Sequence, residues 1–209
     1  MKFFLLIFFQ FFIFNLISSE EVLNDQDYYK KGVEHYDNGE FDKSFVVFFN
    51  LAKKGDKDSI YNVSNMYFEG IGTTQDYLQS LKYYWLCTLN GNKKCIKKIK
   101  TLKEKLDEKE FMFISEEIVK ILKKDFEENL NSITAFKLGY WFEKISPEID
   151  LEKSYLWYSV SVSSGIYKAM KMRDRVGEKI EKKNITGIQQ EANAIFTKNK
   201  YFNTDKDQE

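Results

Sequence analysis

The chain has one proline, Pro147, and one histidine, His35, among 209 residues, with two cysteines and no net charge, 32 basic residues balancing 32 acidic ones. A single proline and few runs of alternating β-branched residues leave little room for sheet, and apolar residues at helical spacing recur throughout. No histidine-based triad, dyad or metal cage is expected within one chain; the one histidine, His35, lies on a hairpin helix and reads as structural or simply exposed. No glycine-rich phosphate cradle is present, and the carboxylates are scattered among lysines as on a salt-bridged surface. Zero net charge gives no global field to steer a nucleic acid or a membrane surface, so neither is an expected partner.

What is present begins with an apolar run, Phe3 to Ile17, containing seven phenylalanines with Gln10 and Asn15 as its polar interruptions. It follows Met1-Lys2 and exits into Ser18-Ser19-Glu20-Glu21. Fifteen residues fall short of the roughly 20 that span a bilayer, so residues 1–19 read as a secretory signal peptide. Leu16 and Ile17 sit where a cleavage site prefers small residues, which keeps an uncleaved N-terminal anchor open as the alternative. No cysteine follows the run, so lipid attachment is not expected there. The expected location is the periplasm or outside the cell. Removal of Lys2 with the leader would shift the net charge to −1, and residues 20–200 suffice for one domain with a continuous core. The end of the chain, residues 201–209, is polar after Phe202 and is expected to be a disordered tail.

Gly55, Gly91 and Gly165 each close a helix-shaped segment, at intervals of 36 and 74 residues, which is the mark of a repeat. The best-formed unit pairs a stripe of Ile60, Val63, Ser64 and Tyr67 with a second of Ser80, Tyr83, Tyr84 and Cys87. Between them Gly70 and Gly72 supply a tight reversal and Asp76 is placed to cap the next helix. The same grammar returns at an offset of 75 before the loop, where Val63, Ser64 and Tyr67 match Leu138, Gly139 and Phe142. After the loop the offset is 74, and Ser80, Tyr83, Tyr84 and Gly91 match Ser154, Trp157, Tyr158 and Gly165. Cys95, Ile99, Leu102 and Leu106 then fall on Ala169, Arg173, Val176 and Ile180. A last helix follows in each copy, around Ile114 to Phe126 and around Ile188 to Thr197. Residues 58–128 and 133–200 are therefore two copies of a two-hairpin block, preceded by a shorter hairpin from Tyr28 to Lys54. The expectation is an all-α solenoid of about five antiparallel helical hairpins, each burying its apolar face on its neighbours.

The stretch Ser59 to Tyr77, continuing through Ser80, Tyr83-Tyr84 and Gly91, resembles a Sel-one-like repeat (SLR), a cousin of the tetratricopeptide repeat. The family's usual alanine, leucine, glycine and tryptophan positions are Ser59, Val63, Ser64 and Tyr83 here. Residues 134–165 match more loosely, with Leu138-Gly139 and Trp157-Tyr158 kept and the loop glycines replaced by Ile145 and Pro147. The resemblance covers about residues 26–200, and it implies a right-handed α/α superhelix used as a protein-interaction scaffold, with no catalytic residues and no cofactor to carry over.

Cys87 and Cys95 occupy the last turn of one helix and the first turn of the next, with Asn90-Gly91 reversing the chain between them. Their side chains can meet at that corner, and a secreted chain would oxidise them. The alternative is a pair of small buried thiols standing where the other copy has Ser161 and Ala169. The lysines from Lys93 to Lys100 interleave with Ile96 and Ile99, so they read as the solvated face of an amphipathic helix, with a local site for an acidic partner as the second reading. Tyr67, Tyr84, Phe142 and Tyr158 read as core. Two sequons, Asn62-Val63-Ser64 and Asn184-Ile185-Thr186, matter where the source glycosylates proteins, and Asn62 would carry sugar awkwardly on a helix.

The leading function is a non-enzymatic scaffold or adaptor, monomeric, for a protein or peptide partner. A binding module for cell-wall or exported polysaccharide is the second reading. A hydrolase of the penicillin-hydrolysing type comes third, because no activated nucleophile is visible. First helices of stacked hairpins line a concave side, so Asn62, Asn65 and Met66, with Lys137, Tyr140 and Trp141 of the matching helix, are the candidate partner-binding residues. Trp141 is expected to be the main anchor, with Tyr140 beside it.

Overall fold

The structure is a computed structural model and describes residues 24–129 and 131–204, the last four for their backbone alone. The leader expected over 1–19 lies outside the described residues, as do 205–209 of the expected tail. Ten helices follow one another with no strand among the described residues. They are α1 (Asp25–Asp37), α2 (Phe41–Lys53), α3 (Lys57–Glu69), α4 (Tyr77–Leu89), α5 (Lys94–Lys103), α6 (Glu108–Asn129), α7 (Ser132–Tyr140), α8 (Leu151–Ser163), α9 (Ala169–Gly177) and α10 (Lys182–Thr204). The all-α helical stack is what the structure shows: α1 with α2, α3 with α4 and α7 with α8 pack as hairpins, whereas α5 and α6 both pack on α4, and α9 and α10 both on α8, more than on each other. Helix α10 runs four residues beyond the expected end of the repeats at 200.

Helix starts are set by side-chain oxygens that accept the free N–H groups of the first turn. Asn24, Asp56, Asp76, Asn131 and Asp150 cap α1, α3, α4, α7 and α8, the three aspartates at 2.7 to 2.9 Å from the N–H three residues on. Helix ends are set by glycine in the left-handed region: at Gly55, Gly91 and Gly165 the next N–H donates back to the carbonyl of Leu51, Cys87 and Ser161 at 2.9 to 3.2 Å. These three glycines are the ones whose spacing exposed the repeat.

Within a hairpin the helices cross closely. Ser44 Oγ donates to the Gly32 carbonyl at 2.8 Å, Ser80 Oγ to Ser64 at 3.0 Å and Ser154 Oγ to Gly139 at 2.9 Å. Phe48, Tyr84 and Tyr158, four residues after each serine, lie buried in the core. At Gly32 a Cβ would come within 2.8 Å of Phe48, and at Gly139 within 2.5 Å of Tyr158. Small residues on the first helix are the condition for the crossing.

Within each block the second helix is the centre: α4 packs against α3, α5 and α6, and α8 against α7, α9 and α10. Contacts α2 with α3 and α6 with α7 join the blocks. One core results, running through Phe48, Val63, Leu81, Tyr84, Trp85, Ile118, Leu138, Trp141 and Tyr158.

The copies differ at the end of the first helix. Gly70 stops α3 in the left-handed region, whereas the matching Ile145 cannot, and α7 continues into a π-helical turn, Trp141–Ile145, before Pro147. Both detours still close on one bond, Asp76 N–H to the Tyr67 carbonyl at 2.9 Å and Asp150 N–H to Phe142 at 3.0 Å. The loop of the first copy is also pressed against α2: a Cβ on Gly72 would lie 2.1 Å from the Phe41 carbonyl oxygen.

Cys87 and Cys95 are joined by a disulfide with a Cα–Cα distance of 6.2 Å, across the corner where α4 ends and α5 begins. The bond closes a loop of eight residues' separation. Replacing both cysteines by Ser and Ala, the pair found in the other copy, should cost about 2.5 kcal/mol in urea unfolding. An unchanged midpoint would mean the corner is held without the bond. Gly72→Ala should cost about 3 kcal/mol, from a left-handed backbone plus a backbone clash, and Gly91→Ala about 1 kcal/mol from the backbone alone. Equal losses would show that the 70–76 loop is not seated on α2.

Candidate interaction groove

A concave feature with an apolar floor and a few converging polar groups lies between α1 and α3. Tyr29, Val33 and Tyr36 recur on one face of α1, and Asn62, Asn65, Met66 and Glu69 on one face of α3. Phe48 and Ile71 complete a cavity of about 400 Å³. Its apolar floor carries a few fixed polar groups, as ligand sites generally do.

Those groups are held in place by bonds to the scaffold. Asn62 Nδ2 donates to the Tyr29 hydroxyl at 3.1 Å. Asn65 Nδ2 donates to the Tyr61 carbonyl at 2.9 Å, and its Oδ1 accepts the Tyr84 hydroxyl at 2.7 Å. Burial drives the Tyr84 phenol well above the usual tyrosine range, so it stays a donor at any physiological pH. Glu69, at one end of the groove, faces Lys98 of α5 at 3.6 Å. Val33 and Tyr36 are the exposed apolar members, 37% and 40% accessible.

Of the six residues expected to form a concave partner surface, Asn62 and Asn65 reach the groove as half-buried side chains. Met66 lines it too, but the expectation that it is exposed is corrected: at 3% accessibility it is part of the core wall. Trp141 is corrected in the same way. It is 0% exposed and meets Trp85 edge-on at a ring distance of 5.2 Å. Met66 and Trp141 occupy matching positions of the two copies, and both are buried because a first helix in a stack is covered on two sides. Its own second helix takes one face and the preceding unit takes part of the other. Lys137 is half-buried, donates to Asn90 Oδ1 at 2.7 Å, and burial holds its ammonium below the usual lysine range. Tyr140 is partly open, at 36%. Lys137, Tyr140 and Trp141 are therefore not in the groove that holds Asn62 and Asn65.

The α1 side of the groove was missed by reading α3 and α7 alone. Its signal is the spacing of Tyr29, Val33 and Tyr36, four and then three residues apart, which puts all three on one face of α1.

In the second copy Tyr140 stands where Asn65 stands in the first, and the buried tyrosine finds another partner. Tyr158 donates to Glu143 Oε2 at 3.0 Å, and Arg175 Nη2 donates to Glu143 Oε1 at 2.7 Å. The π-helical turn is what brings Glu143 inward, to 4% side-chain exposure. Burial raises the Tyr158 phenol far above its usual range, with the Glu143 charge adding to the effect. This carboxylate is consumed by structure. No group of three or more His, Cys, Asp or Glu suited to a metal occurs among the described residues.

No family model matches the sequence, and no curated protein matches it. Among solved structures, the chain is similar to c5321, a protective antigen present in uropathogenic Escherichia coli strains displaying an SLR fold, at 18% identity and a TM-score of 0.37. The match covers 81% of this chain and 37% of that one. A superposition at that level says nothing of activity or partner. The three matched serine crossings and the glycine corners are this chain's own. The chain is a helical-repeat protein. In such a stack each hairpin is both a partner and a lid to the next, which is why side chains that look free in one repeat are buried in the array.

Trp141→Ala should cost about 3 to 5 kcal/mol and weaken the near-ultraviolet circular dichroism, to which its edge-on pair with Trp85 contributes. A variant that keeps the wild-type melting temperature would return Trp141 to the surface.

Proposed function

We propose that the protein is a non-enzymatic scaffold which binds a protein or peptide segment in the groove between α1 and α3, in the periplasm or outside the cell. The observation that carries this reading is the groove itself: about 400 Å³ of apolar floor beneath the pinned amides of Asn62 and Asn65. An amide presents both a donor and an acceptor, the pair that a peptide backbone also presents. Fixing the amides beforehand removes the ordering cost that binding would otherwise incur. Repeat stacks of this kind resemble the SLR scaffolds whose role is interaction.

The location rests on the leader-like residues 1–19 and on the Cys87–Cys95 disulfide, which persists in oxidising compartments. No helix among the described residues is long and apolar enough to cross a membrane. Catalysis is not proposed, because the one histidine is tied to Glu40 and the buried carboxylate Glu143 is engaged by Tyr158 and Arg175. A polysaccharide platform would present flat ring faces, whereas the neighbouring exposed rings Tyr36 and Phe41 meet edge-on at 5.1 Å and Tyr140 and Tyr167 stand on other units.

A pull-down from the native compartment, read by quantitative mass spectrometry with a parallel glycan profile, tests this. Val33→Asp and Tyr36→Ala should keep the melting temperature and lose about tenfold or more of the captured partner. Tyr167→Ala, at 75% exposure and away from the groove, should leave capture intact. Equal capture by all three variants, or a glycan in place of a protein, refutes the groove as a peptide site.

A further inference from the structure

The groove does not end in open solvent. Its Glu69 end meets Lys98 on α5, and α5 carries the densest charge of one sign in the chain. Lys93, Lys94, Lys97 and Lys100 are all exposed, and none has a carboxylate within ion-pairing distance among the described residues. At 100° per residue these four fall within about a third of a turn. By contrast Lys98 lies over the Phe68 ring at 4.4 Å and Lys105 over Tyr77 at 5.1 Å, their charges spent within the fold. The unpaired lysines also crowd the start of α5, where Lys93 has no capping side chain and the helix dipole disfavours cations. The chain thus bears a local electrostatic cost at this stripe that nothing within the fold relieves.

We infer that the groove and the α5 stripe form one continuous docking surface for an acidic peptide segment, apolar at the end that enters between α1 and α3 and rich in Asp or Glu where it passes over α5. The inference rests on the groove being a peptide site and adds the chemistry of the peptide. Helix α5 has 10 residues and is about 15 Å long, so about five extended residues would lie along it. A polyanion such as a nucleic acid fits worse. Its charge would not stop at α5 but would run on beside Asp25, Asp27, Glu34 and Asp37 of α1 or the seven carboxylates of α6, in a chain of zero net charge. A short acidic tract with an apolar end matches the stripe and avoids both neighbours.

The test is selection from a displayed library of random peptides, about twelve residues long, on the full-length protein, followed by fluorescence anisotropy of the enriched peptides. The expected winners carry an apolar residue followed by several Asp or Glu. Their affinity should fall about tenfold or more between about 50 and about 500 mM NaCl. It should fall by a similar factor in the variant Lys93→Gln/Lys94→Gln/Lys97→Gln/Lys100→Gln, whose melting temperature should stay the same or rise, because these exposed side chains form no ion pair in the fold and repel one another. Winners that are neutral or basic, bind independently of the lysines, and still require Tyr36 overturn the acidic specification while leaving the groove standing. Winners that ignore both Tyr36 and the lysines, an empty selection, or equal competition by a single-stranded oligothymidylate overturn the surface altogether.

Discussion

The contact on which the stack depends is the hydrogen bond from a second-helix serine to a first-helix carbonyl, made three times, at Ser44, Ser80 and Ser154. A buried hydroxyl that found no acceptor would cost about 1 to 3 kcal/mol, so the bond fixes how far each helix can slide on its partner. It forms because Gly32, Ser64 and Gly139 let the backbones approach. The ring four residues later, Phe48, Tyr84 or Tyr158, is buried in the core, and at Gly32 and Gly139 it covers the small residue. One local rule, small residue opposite serine opposite aromatic, sets the pitch of the array.

Much of this was legible because it is written in residues whose backbone or capping chemistry is nearly unique. Glycines that must be left-handed, aspartates that cap, and cysteines facing each other across a corner keep their meaning whatever surrounds them. The offsets of 75 and 74 residues followed from the same landmarks, and the loss of one loop residue shows up in the structure as the exchange of the Gly70 stop for a π-helical turn. What could not be read from one unit is anything that the neighbouring unit decides. Met66 and Trp141 lie off the stripe that faces their own second helix, which suggested exposure, yet the stack covers them. Periodicity reports the first contact of a helix and is silent on its second.

The π-helical turn belongs to the same class. Replacement of the two loop glycines was visible, but its result, Glu143 swung inward to accept Tyr158 and Arg175, depends on α9 reaching across. A buried carboxylate with two donors is costly to desolvate and is retained only where the surrounding geometry supplies both partners. The first copy meets the same need with the neutral Asn65, which leaves its surface undisturbed enough to line a groove. Equivalent buried tyrosines have thus been satisfied by two chemistries.

That divergence separates the two ends of the molecule. At the α1 end, Val33 and Tyr36 are open among the described residues and the amides on α3 face a concavity. At the equivalent place on α7, the preceding block contributes α6 and, from α4, Trp85, which Trp141 meets edge-on. An open groove and a closed core are the two states the same face takes in the two copies. Lys98 of α5 reaches Glu69 at the edge of the open one, and an acidic segment leaving that edge along α5 would lower the repulsion among the unpaired lysines of that helix.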